Sequence, residues 1–398
     1  MTDGRRAPRF FQATVDEIRS GDTTDVYFVR TEQIIREAGL DRRVRAEFSV
    51  KSLPHSYPWA VFAGLEEVLA LLEGIDIDIR GISEGTIVRP YEPIMEIEGN
   101  YLSFARLETA ILGLICEASG VATKAARIRV LARDRVLASF GARRMHPAIA
   151  PIIERAAFIG GCDGVSVVKS ARELGEDPTG TTPHSLMLMV GDTVRAMELY
   201  DAIVEGDALR IALIDTFQDE KFEAVRVAEA LGERLYGVRL DTPGSRRGNF
   251  TQILREVRWE LDLRGFQHVK LLASGGLDER EVDTLCPWVD GFGVGTSIAN
   301  ARTIDFGMDI VEIEGTPVAK RGKMSGAKQV WRDLDTLSDE VLPLGQEPAG
   351  AWRVAQLQPV MAGGRVLEDV PTPHAIRNHV LAQLETVGAE VVPMNENG

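Results

Sequence analysis

The spacing of apolar residues in the first third of the chain predicts two amphipathic helices. The apolar face of the first helix consists of Val61, Leu65, Val68, Leu69 and Leu72. Gly74 follows this helix, where a left-handed C-terminal cap is expected. A second helix is predicted over residues 104–119, and the proline-containing stretch 81–99 between the two helices favours short strands. These elements predict an α+β domain over residues 1–125.

From about Arg129 the pattern changes to apolar strands that alternate with helices carrying one polar face. The predicted strands cover residues 136–140, 164–168, 209–216, 236–241, 269–274 and 291–295. The clearest helix between them is predicted over residues 249–263, with Asn249 as its N-cap and Gly265 after its end. Such alternation favours βαβ units and a parallel sheet. We therefore expect a barrel domain over 126–300.

The last part of the chain, residues 301–398, returns to short strand-like stretches. A Gly, Pro and Asp-rich tail follows, with a helix predicted near residues 373–386. We expect this segment to pack back on the first domain.

Polar or glycine-rich residues follow one predicted barrel strand after another. The segments are Phe140-Gly141-Ala142-Arg143, Asp215-Thr216, Arg239-Leu240-Asp241, Ser274-Gly275-Gly276 and Gly293-Val294-Gly295-Thr296. In α/β barrels the carboxyl ends of the strands converge on one mouth, so these groups would face a common ligand. Glycines there bring backbone N–H groups close to a phosphate, although tight turns also use them.

Charged side chains at these strand ends are candidates for ligand contact. Asp215 and Asp241 end consecutive buried strands and need a cation, hydroxyl groups or Mg²⁺ as partners; alternatively, Asp241 caps the next helix. Arg143 and Arg239 supply the positive charge that an anionic substrate requires, unless they are solvated surface residues. His184 follows Pro183 in a stretch that would hold its side chain in one direction; the alternative is a structural histidine.

Composition narrows the class of protein. With 398 residues and 44% hydrophobic content, the chain is expected to fold as two or three domains. Sixty acidic residues against 45 basic ones give a net charge of -15, which disfavours nucleic acids and anionic membranes as partners. The three cysteines lie far apart, which predicts neither a disulfide framework nor a zinc knuckle. No segment approaches the roughly 20 apolar residues needed to cross a bilayer, so we expect a cytoplasmic protein.

These segments together resemble the nicotinate phosphoribosyltransferase family, in particular its shorter archaeal-type branch. The resemblance covers roughly residues 20–328. The matching stretches are Thr24-Asp25-Val26-Tyr27-Phe28, Phe62-Ala63-Gly64-Leu65, Leu107-Glu108-Thr109-Ala110-Ile111-Leu112, Ser139-Phe140-Gly141-Ala142-Arg143-Arg144-Met145-His146-Pro147, Gly180-Thr181-Thr182-Pro183-His184-Ser185, Leu240-Asp241-Thr242-Pro243 and Ala273-Ser274-Gly275-Gly276-Leu277.

The resemblance implies a type II phosphoribosyltransferase fold, which is an irregular α/β barrel beside an N-terminal α+β sandwich that the C-terminal segment completes. It implies that nicotinate and phosphoribosyl pyrophosphate react to nicotinate mononucleotide and pyrophosphate on the route to NAD, with Mg²⁺ and coupled ATP hydrolysis. It also implies a homodimer as the minimal unit, in which head-to-tail subunits complete each other's sites.

Individual roles follow from the same resemblance. Phe140 would stack on one face of the pyridine ring, and Tyr27 from the partner subunit on the other. Arg143 and Arg239 would hold the substrate carboxylate or the phosphates. His184 matches the histidine that relatives phosphorylate with ATP.

The ribose and the metal side would fall to Asp215 and Asp241. The cradle of the 5′-phosphate would consist of Ser274, Gly275, Gly276, Gly295 and Thr296. A phosphate-binding cation from the partner subunit is expected among Lys320, Lys323 and Lys328, with Lys323 as the assigned candidate.

One departure from the archaeal relatives is the absence of cysteine from residues 331–346, where those relatives carry a zinc knuckle. We therefore expect no structural zinc. Two alternatives keep the reaction but change the acceptor to nicotinamide or quinolinate; the Arg143-Arg144 turn favours a carboxylate. A third alternative is a non-catalytic barrel that senses nucleotides.

Overall fold

The computed structural model describes residues 9–206, 208–350 and 352–394. Several helices follow an N-cap residue whose side chain accepts a hydrogen bond from a free backbone N–H group. Asn249 is such an N-cap residue, as predicted. The helices are α1 Val15–Arg19, α2 Val26–Glu37, α3 Leu65–Leu72, α4 Tyr101–Phe104, α5 Glu108–Ala132, α6 Ala150–Ile159, α7 Val168–Leu174, α8 His184–Val190, α9 Thr193–Ile203, α10 Glu220–Leu231, α11 Gly244–Arg247, α12 Phe250–Leu263, α13 Glu279–Leu285, α14 Thr296–Ala299 and α15 Pro373–Val387.

The strands form two large sheets and two small ones. They are β1 Arg43–Ser52, β2 Ala60–Val61, β3 Ile77–Gly81, β4 Ile87–Val88, β5 Pro93–Asn100, β6 Val136–Ser139, β7 Gly164–Val165, β8 Ile211–Leu213, β9 Gly237–Leu240, β10 Lys270–Ser274, β11 Gly291–Val294, β12 Asp305–Ile313, β13 Thr316–Pro317, β14 Lys328–Arg332, β15 Asp339–Pro343, β16 Val354–Ala355, β17 Gln358–Ala362 and β18 Arg365–Val366.

A seven-stranded antiparallel sheet forms the first unit, in the order β13-β12-β1-β5-β3-β17-β18. Its long central strand β1 places Phe48 opposite Met95 of β5 and Met308 of β12. The side chains of Ala46, Phe48 and Val50, two residues apart, are fully buried and belong to one core with α3 and the start of α5. This is the predicted α+β sandwich.

Six parallel strands form the second unit, in the order β7-β6-β11-β10-β9-β8. Each of these strands lies inside one of the stretches that the apolar pattern predicts, although several are shorter. Helices such as α6, α10 and α12 contribute to the same core as the strands. The alternation of strand and helix therefore produces the predicted parallel arrangement.

Residues 179–183 join the two edge strands of this sheet, β7 and β8. The Thr179 N–H group donates to the Val165 carbonyl of β7 at 2.8 Å. The Thr182 hydroxyl group donates to the Ile211 carbonyl of β8 at 3.1 Å and lies 3.3 Å from the Leu213 amide nitrogen. Hydrogen bonds of the Thr182 side chain thus take the place of regular strand pairing at this point, and the barrel is irregular there.

Helix α5 is shared by the two units. Its 25 residues cross the predicted boundary at residue 125, with Ile111 in the sandwich core and Ile128 in the barrel core. The expectation that no segment is long and apolar enough to span a bilayer is wrong for Tyr101–Ala132, although 61% of the most apolar 18 residues of this stretch is buried inside the protein. Such burial is typical of a core helix at a domain junction.

The segment after residue 300 divides between the two units. Strands β12 and β17 extend the sandwich sheet, as expected. Helix α15 instead packs on α6, and its residues Ile376, Val380 and Leu384 belong to the barrel core. The same helix also contacts the first unit, because the Gln383 side chain accepts from the Ile87 amide at 2.9 Å and donates to the Gly85 carbonyl at 2.9 Å. The last helix therefore contacts both units, and its apolar face is covered by a barrel helix.

The cysteine-free stretch still forms a small sheet, in which β14 lies between β15 and β16. The Arg332 side chain forms an ion pair with Asp339 across this sheet. The same guanidinium group donates to the Ile87 carbonyl at 2.6 Å. These contacts attach the small sheet to the strands of the first unit.

Candidate active site

A cavity of about 350 Å³ lies at the carboxyl ends of the barrel strands, and we call it the mouth. Residues that follow five different strands converge there because parallel strands all end on the same side. The predicted site residues that line the mouth are Phe140, Arg143, Arg239, Asp241, Ser274, Gly275, Gly276, Gly295 and Thr296.

The aromatic wall of the mouth depends on glycines. The Phe140 amide donates to the Val294 carbonyl at 2.9 Å, which extends the pairing of β6 with β11. The Phe140 ring covers Gly293, where a Cβ atom would lie 2.3 Å from the ring. A Cβ atom on Gly141 would lie 2.4 Å from the Gly295 carbonyl oxygen. These glycines therefore hold an aromatic ring at the cavity wall, where it can stack on a ligand.

The turn after β10 has the geometry of an anion-binding loop. Gly275 and Gly276 have φ values of +89° and +69°, which favour glycine. Their N–H groups have no acceptor within the part of the chain that the structure describes. The Arg247 side chain donates to the Gly275 carbonyl and, at 2.9 Å, to the Thr242 carbonyl, so it connects the turns after β9 and β10. The loop is thus braced from behind while its amides stay available.

His184 lies between the two aspartates that the sequence singles out. Its Nε2 atom is 3.8 Å from the Asp215 carboxylate and 3.6 Å from the Asp241 carboxylate. Its Nδ1 atom is 3.1 Å from the Thr216 hydroxyl oxygen. The partners of His184 are therefore side chains, and not the neighbouring backbone group of the structural alternative. Asp241 does not cap the next helix, because the N-cap of α11 is Pro243.

Asp215 is a buried carboxylate without a hydrogen-bond partner. Its side chain is 2% exposed, and neither carboxylate oxygen accepts a hydrogen bond from the described residues. Burial raises the pKa of Asp215, and Asp241 adds to this, whereas His184 lowers it. A carboxylate left in this state needs a ligand hydroxyl group or a cation.

Arg239 provides a partly buried positive charge of the mouth. Its guanidinium group donates to the Thr182 carbonyl at 3.1 Å and approaches the Ser274 hydroxyl oxygen at 3.4 Å. Its Nε–H group is buried and has no partner among the described residues. Burial lowers the pKa of Arg239, while Asp241 and Asp215 raise it. Ser274 in turn donates to Asp241 at 2.7 Å, which fixes that carboxylate beside the cation.

Two more arginines follow β6 in a short helical turn, Ala142–Arg144. Arg143 and Arg144 are both exposed and line the mouth, and neither pairs with a carboxylate inside the described ranges. In a chain of net charge -15, such unpaired cations mark a site for an anion.

Four predicted residues are not among those that line the mouth. His184 and Asp215 lie beside it, next to Asp241, whereas Tyr27 and Lys323 lie elsewhere. Tyr27 is on α2 of the sandwich and is 55% exposed, and Lys323 pairs with Asp309 at 3.3 Å. Neither lines the mouth of its own chain. Lys328 is buried and pairs with Glu47 at 2.7 Å, so it is not available to another molecule and is removed from the candidates.

Sequence reasoning missed three residues of this region. Ser166 follows β7 and lines the mouth, and the rule of polar residues behind strand ends would have found it. Thr182 lay in a quoted motif but received no role, although it closes the barrel. Arg247 gave no signal, because its contact with the next turn depends on how two loops fold together.

The arrangement also permits a test of whether Mg²⁺ would fit. No group of three or more His, Cys, Asp or Glu residues in the described part of the chain could hold a metal ion by itself. The partnerless oxygens of Asp215 and the nearby carboxylate of Asp241 supply hard oxygen ligands. Such a pair suits Mg²⁺, which usually takes one or two carboxylates together with phosphates and water.

Comparison with known proteins places this geometry in a family. Residues 25–119 match the N-terminal domain of quinolinate phosphoribosyl transferase, and residues 121–309 match its C-terminal domain. The chain is 49% identical to nicotinate-nucleotide pyrophosphorylase from Pyrococcus furiosus, with a TM-score of 0.93 over 96% of this chain and 99% of that one.

A nicotinate phosphoribosyltransferase of Mycobacterium tuberculosis is 30% identical over 314 residues, which cover 73% of this chain and 68% of the relative. The human nicotinic acid phosphoribosyltransferase shares the fold, with a TM-score of 0.74 and 19% identity over 94% of this chain and 96% of that one. Family match, identity and the geometry of the mouth agree, and the chain belongs to the nicotinate phosphoribosyltransferase family, with the type II phosphoribosyltransferase fold.

Proposed function

We propose that the protein transfers the phosphoribosyl group of phosphoribosyl pyrophosphate to nicotinate, forming nicotinate mononucleotide and pyrophosphate in the synthesis of NAD. The observation that carries the proposal is the mouth itself. It combines one aromatic wall, a braced glycine turn and three arginines, none of which pairs with a carboxylate among the described residues. An aromatic acid and a phosphorylated sugar need these three features together.

Nicotinate is the proposed acceptor because of the groups that face it. The Phe140 ring offers a stacking surface, and Arg143 offers a guanidinium group that suits a carboxylate better than a neutral amide. Quinolinate is the second candidate, since the matching domain families carry its name. Quinolinate has one more carboxylate and would need a further cation.

The reaction requires positioning and charge stabilisation more than a base. The bond from ribose C1 to pyrophosphate breaks with its electron pair on pyrophosphate, and the lone pair of the pyridine nitrogen forms the new bond. No proton has to move. Asp215 and Asp241 would hold Mg²⁺, which supplies charge neutralisation for the leaving pyrophosphate. Arg239 stabilises phosphate charge, and the amides of Gly275 and Gly276 hold the 5′-phosphate.

A second copy of the chain is proposed to complete each site. Tyr27 is exposed on the sandwich, and Lys323 lies on the same unit, so neither reaches the mouth of its own barrel. A head-to-tail homodimer would bring the Tyr27 ring to the free face of the pyridine and Lys323 to a phosphate.

We also propose that ATP hydrolysis is coupled to transfer through His184. One ring nitrogen attacks the γ-phosphate, ADP leaves, and water later removes the phosphate from the histidine. The surroundings of the ring favour this role, because the Thr216 hydroxyl group near Nδ1 and the two carboxylates near Nε2 hold the imidazole in one orientation.

The acceptor is tested by a product assay with phosphoribosyl pyrophosphate, Mg²⁺ and each of the three pyridines. We expect the highest kcat/KM with nicotinate. Arg143→Gln should narrow the preference for nicotinate over nicotinamide, whereas Arg195→Ala, an exposed arginine on α9, should leave it unchanged. A higher kcat/KM with quinolinate or nicotinamide would show that nicotinate is not the preferred acceptor.

The ATP step is tested with γ-labelled ATP. The wild type should acquire an acid-labile, base-stable phosphate, and His184→Ala should not. The control variant His268→Ala changes a histidine that precedes β10, at the opposite end of the strand from the mouth, and should still be labelled. Labelling of His184→Ala, or ATP hydrolysis still coupled to product in that variant, would contradict the role.

The dimer is tested by mixing two defective variants, Asp215→Asn and Tyr27→Ala. If each site takes Tyr27 from the partner subunit, a mixed dimer has one intact site, so about a quarter of all sites regain the wild-type KM for nicotinate. If Tyr27 served its own barrel, the mixture would show no wild-type component. That outcome would leave the acceptor assignment intact.

A further inference from the structure

A groove at the opposite end of the barrel has the features of a second ligand site. It has a volume of about 440 Å³ and lies beside α12 and the short turn Cys286–Trp288. Its lining includes Arg135 before β6, Leu271 at the start of β10 and Asp290 before β11. These are the amino ends of the strands, whereas the mouth is at their carboxyl ends. We call this cavity the tryptophan groove.

Two tryptophan side chains line the groove over an apolar floor. Trp259 of α12 is 68% exposed and Trp288 is 40% exposed. Leu254, Leu271 and Val289 are buried beneath them. The Trp259 indole, which is largely exposed beside a cavity, suits a planar ring that stacks on it.

The charges of the groove leave one cation without an acidic partner. The carboxylates are paired, Asp262 with Arg258 at 2.8 Å and Asp290 with Lys270 at 3.4 Å. Arg255 lies over the Trp288 ring, 4.9 Å from its centroid, and pairs with no carboxylate of the described residues. Arg255 and Trp259 are four positions apart on α12, so they share one helical face. A ligand that carries an anionic group and an aromatic ring could therefore contact Arg255 and Trp259 at the same time.

We propose that the tryptophan groove binds a mononucleotide, whose base stacks on Trp259 and whose phosphate pairs with Arg255. Its volume lies in the range of small-ligand sites, about 300–1,000 Å³. The net charge of -15 opposes a polyanionic nucleic acid but not a small anion beside a local cation. Because the groove is remote from the mouth, a nucleotide bound there would lie apart from the reacting groups.

Calorimetric titration of the full chain with AMP tests the proposal. We expect one saturable site per chain that survives in Arg239→Ala, a variant of the mouth. Arg255→Ala and Trp259→Ala should each weaken this binding by about three- to ten-fold. Adenosine and inorganic phosphate, each with half of the recognised chemistry, should bind more weakly than AMP. AMP should also quench tryptophan fluorescence, since no tryptophan lines the mouth.

The control is Trp352→Phe, which changes an exposed tryptophan outside the groove and should leave AMP binding unchanged. Arg255 and Trp259 are surface residues, and equal melting temperatures would confirm that both variants fold. Equal affinity of the wild type and both variants for AMP would overturn the proposal, and so would the absence of a saturable site. A smaller assembly of Trp259→Ala in sedimentation would show that the groove is an interface between copies, and would overturn it as well.

Discussion

Two groups of buried charges in this protein differ in how they are paired. At the junction of the two units, Glu279 is fully buried and accepts from Lys124 at 2.7 Å and from Arg127 at 2.9 Å. The Met394 amide lies 3.2 Å from the same carboxylate. We call Lys124, Arg127 and Glu279 the junction cluster. Beside the mouth, by contrast, the oxygens of the buried Asp215 have no hydrogen-bond partner among the described residues.

The pKa directions reflect this difference. Burial acts to raise the pKa of Glu279, but the hydrogen bonds and charges of Arg127 and Lys124 lower it below the ordinary value. The pKa of Asp215 is raised by burial, and the nearby His184 offsets this rise only in part. Charges that find all their partners inside the chain stabilise the fold. Charges that lack them indicate where a ligand binds.

The largest effect is expected from breaking the junction cluster. Glu279→Ala leaves two buried cations without their carboxylate, which should lower the free energy of unfolding by about 3–5 kcal/mol. Denaturant unfolding measures this change. Glu173→Ala, which removes an exposed partner of Lys169, is the control and should cost at most about 1 kcal/mol. Similar losses in the two variants would mean that the junction cluster does not stabilise the fold.

The opposite result is expected for Asp215→Asn. Transfer should slow by about 10²–10³-fold, because a charge that acts in the transition state is lost. Stability should not fall. A raised folded pKa means that the folded protein binds the proton more tightly, so Asp215 costs stability as pH rises from its unfolded pKa through its folded pKa. The variant should therefore lose this pH dependence and match or exceed the wild type in melting temperature at pH 8. Lower stability at pH 8 would contradict the unpaired state of Asp215.

A smaller effect is expected in the glycine turn of the mouth. Gly275→Ala puts a Cβ atom 2.9 Å from the Asp241 carbonyl oxygen and from its carboxylate, at a positive φ. We expect a loss of stability of about 1–2 kcal/mol and a higher KM for phosphoribosyl pyrophosphate. Gly276→Ala is the matched control, with a positive φ but no atom within 4 Å of its Cβ position. If both variants raise this KM equally, contact with Asp241 is not the cause.

The smallest effect concerns the aromatic wall. Phe140→Ala removes a stack worth about 0.5–1.5 kcal/mol, so the KM for nicotinate should rise by about two- to twelve-fold, and more than the KM for phosphoribosyl pyrophosphate. Phe222→Ala, at an exposed phenylalanine of α10, is the control. A parallel rise of both KM values would argue against stacking on nicotinate.

The apolar pattern was sufficient to predict the barrel strands and the residues behind them. A strand of about 4–8 apolar residues can be recognised from its own sequence. The parallel arrangement then brings the residues that follow Ser139, Leu240 and Ser274 to one end of the sheet. For this reason most of the mouth was predictable before any contact was known.

Contacts between distant residues could not be predicted in this way. The pattern of α15 indicates an apolar face, but only the folded chain decides that α6 covers it. In the sequence Lys328 cannot be told from Lys320 and Lys323, but in the folded chain it pairs with Glu47, which is far away in sequence. Periodicity depends on neighbours along the chain, whereas burial and pairing depend on residues that approach only after folding. The sequence by itself therefore determined the elements and the chemistry at strand ends, and the tertiary structure decided which charges are paired and which remain available to a ligand.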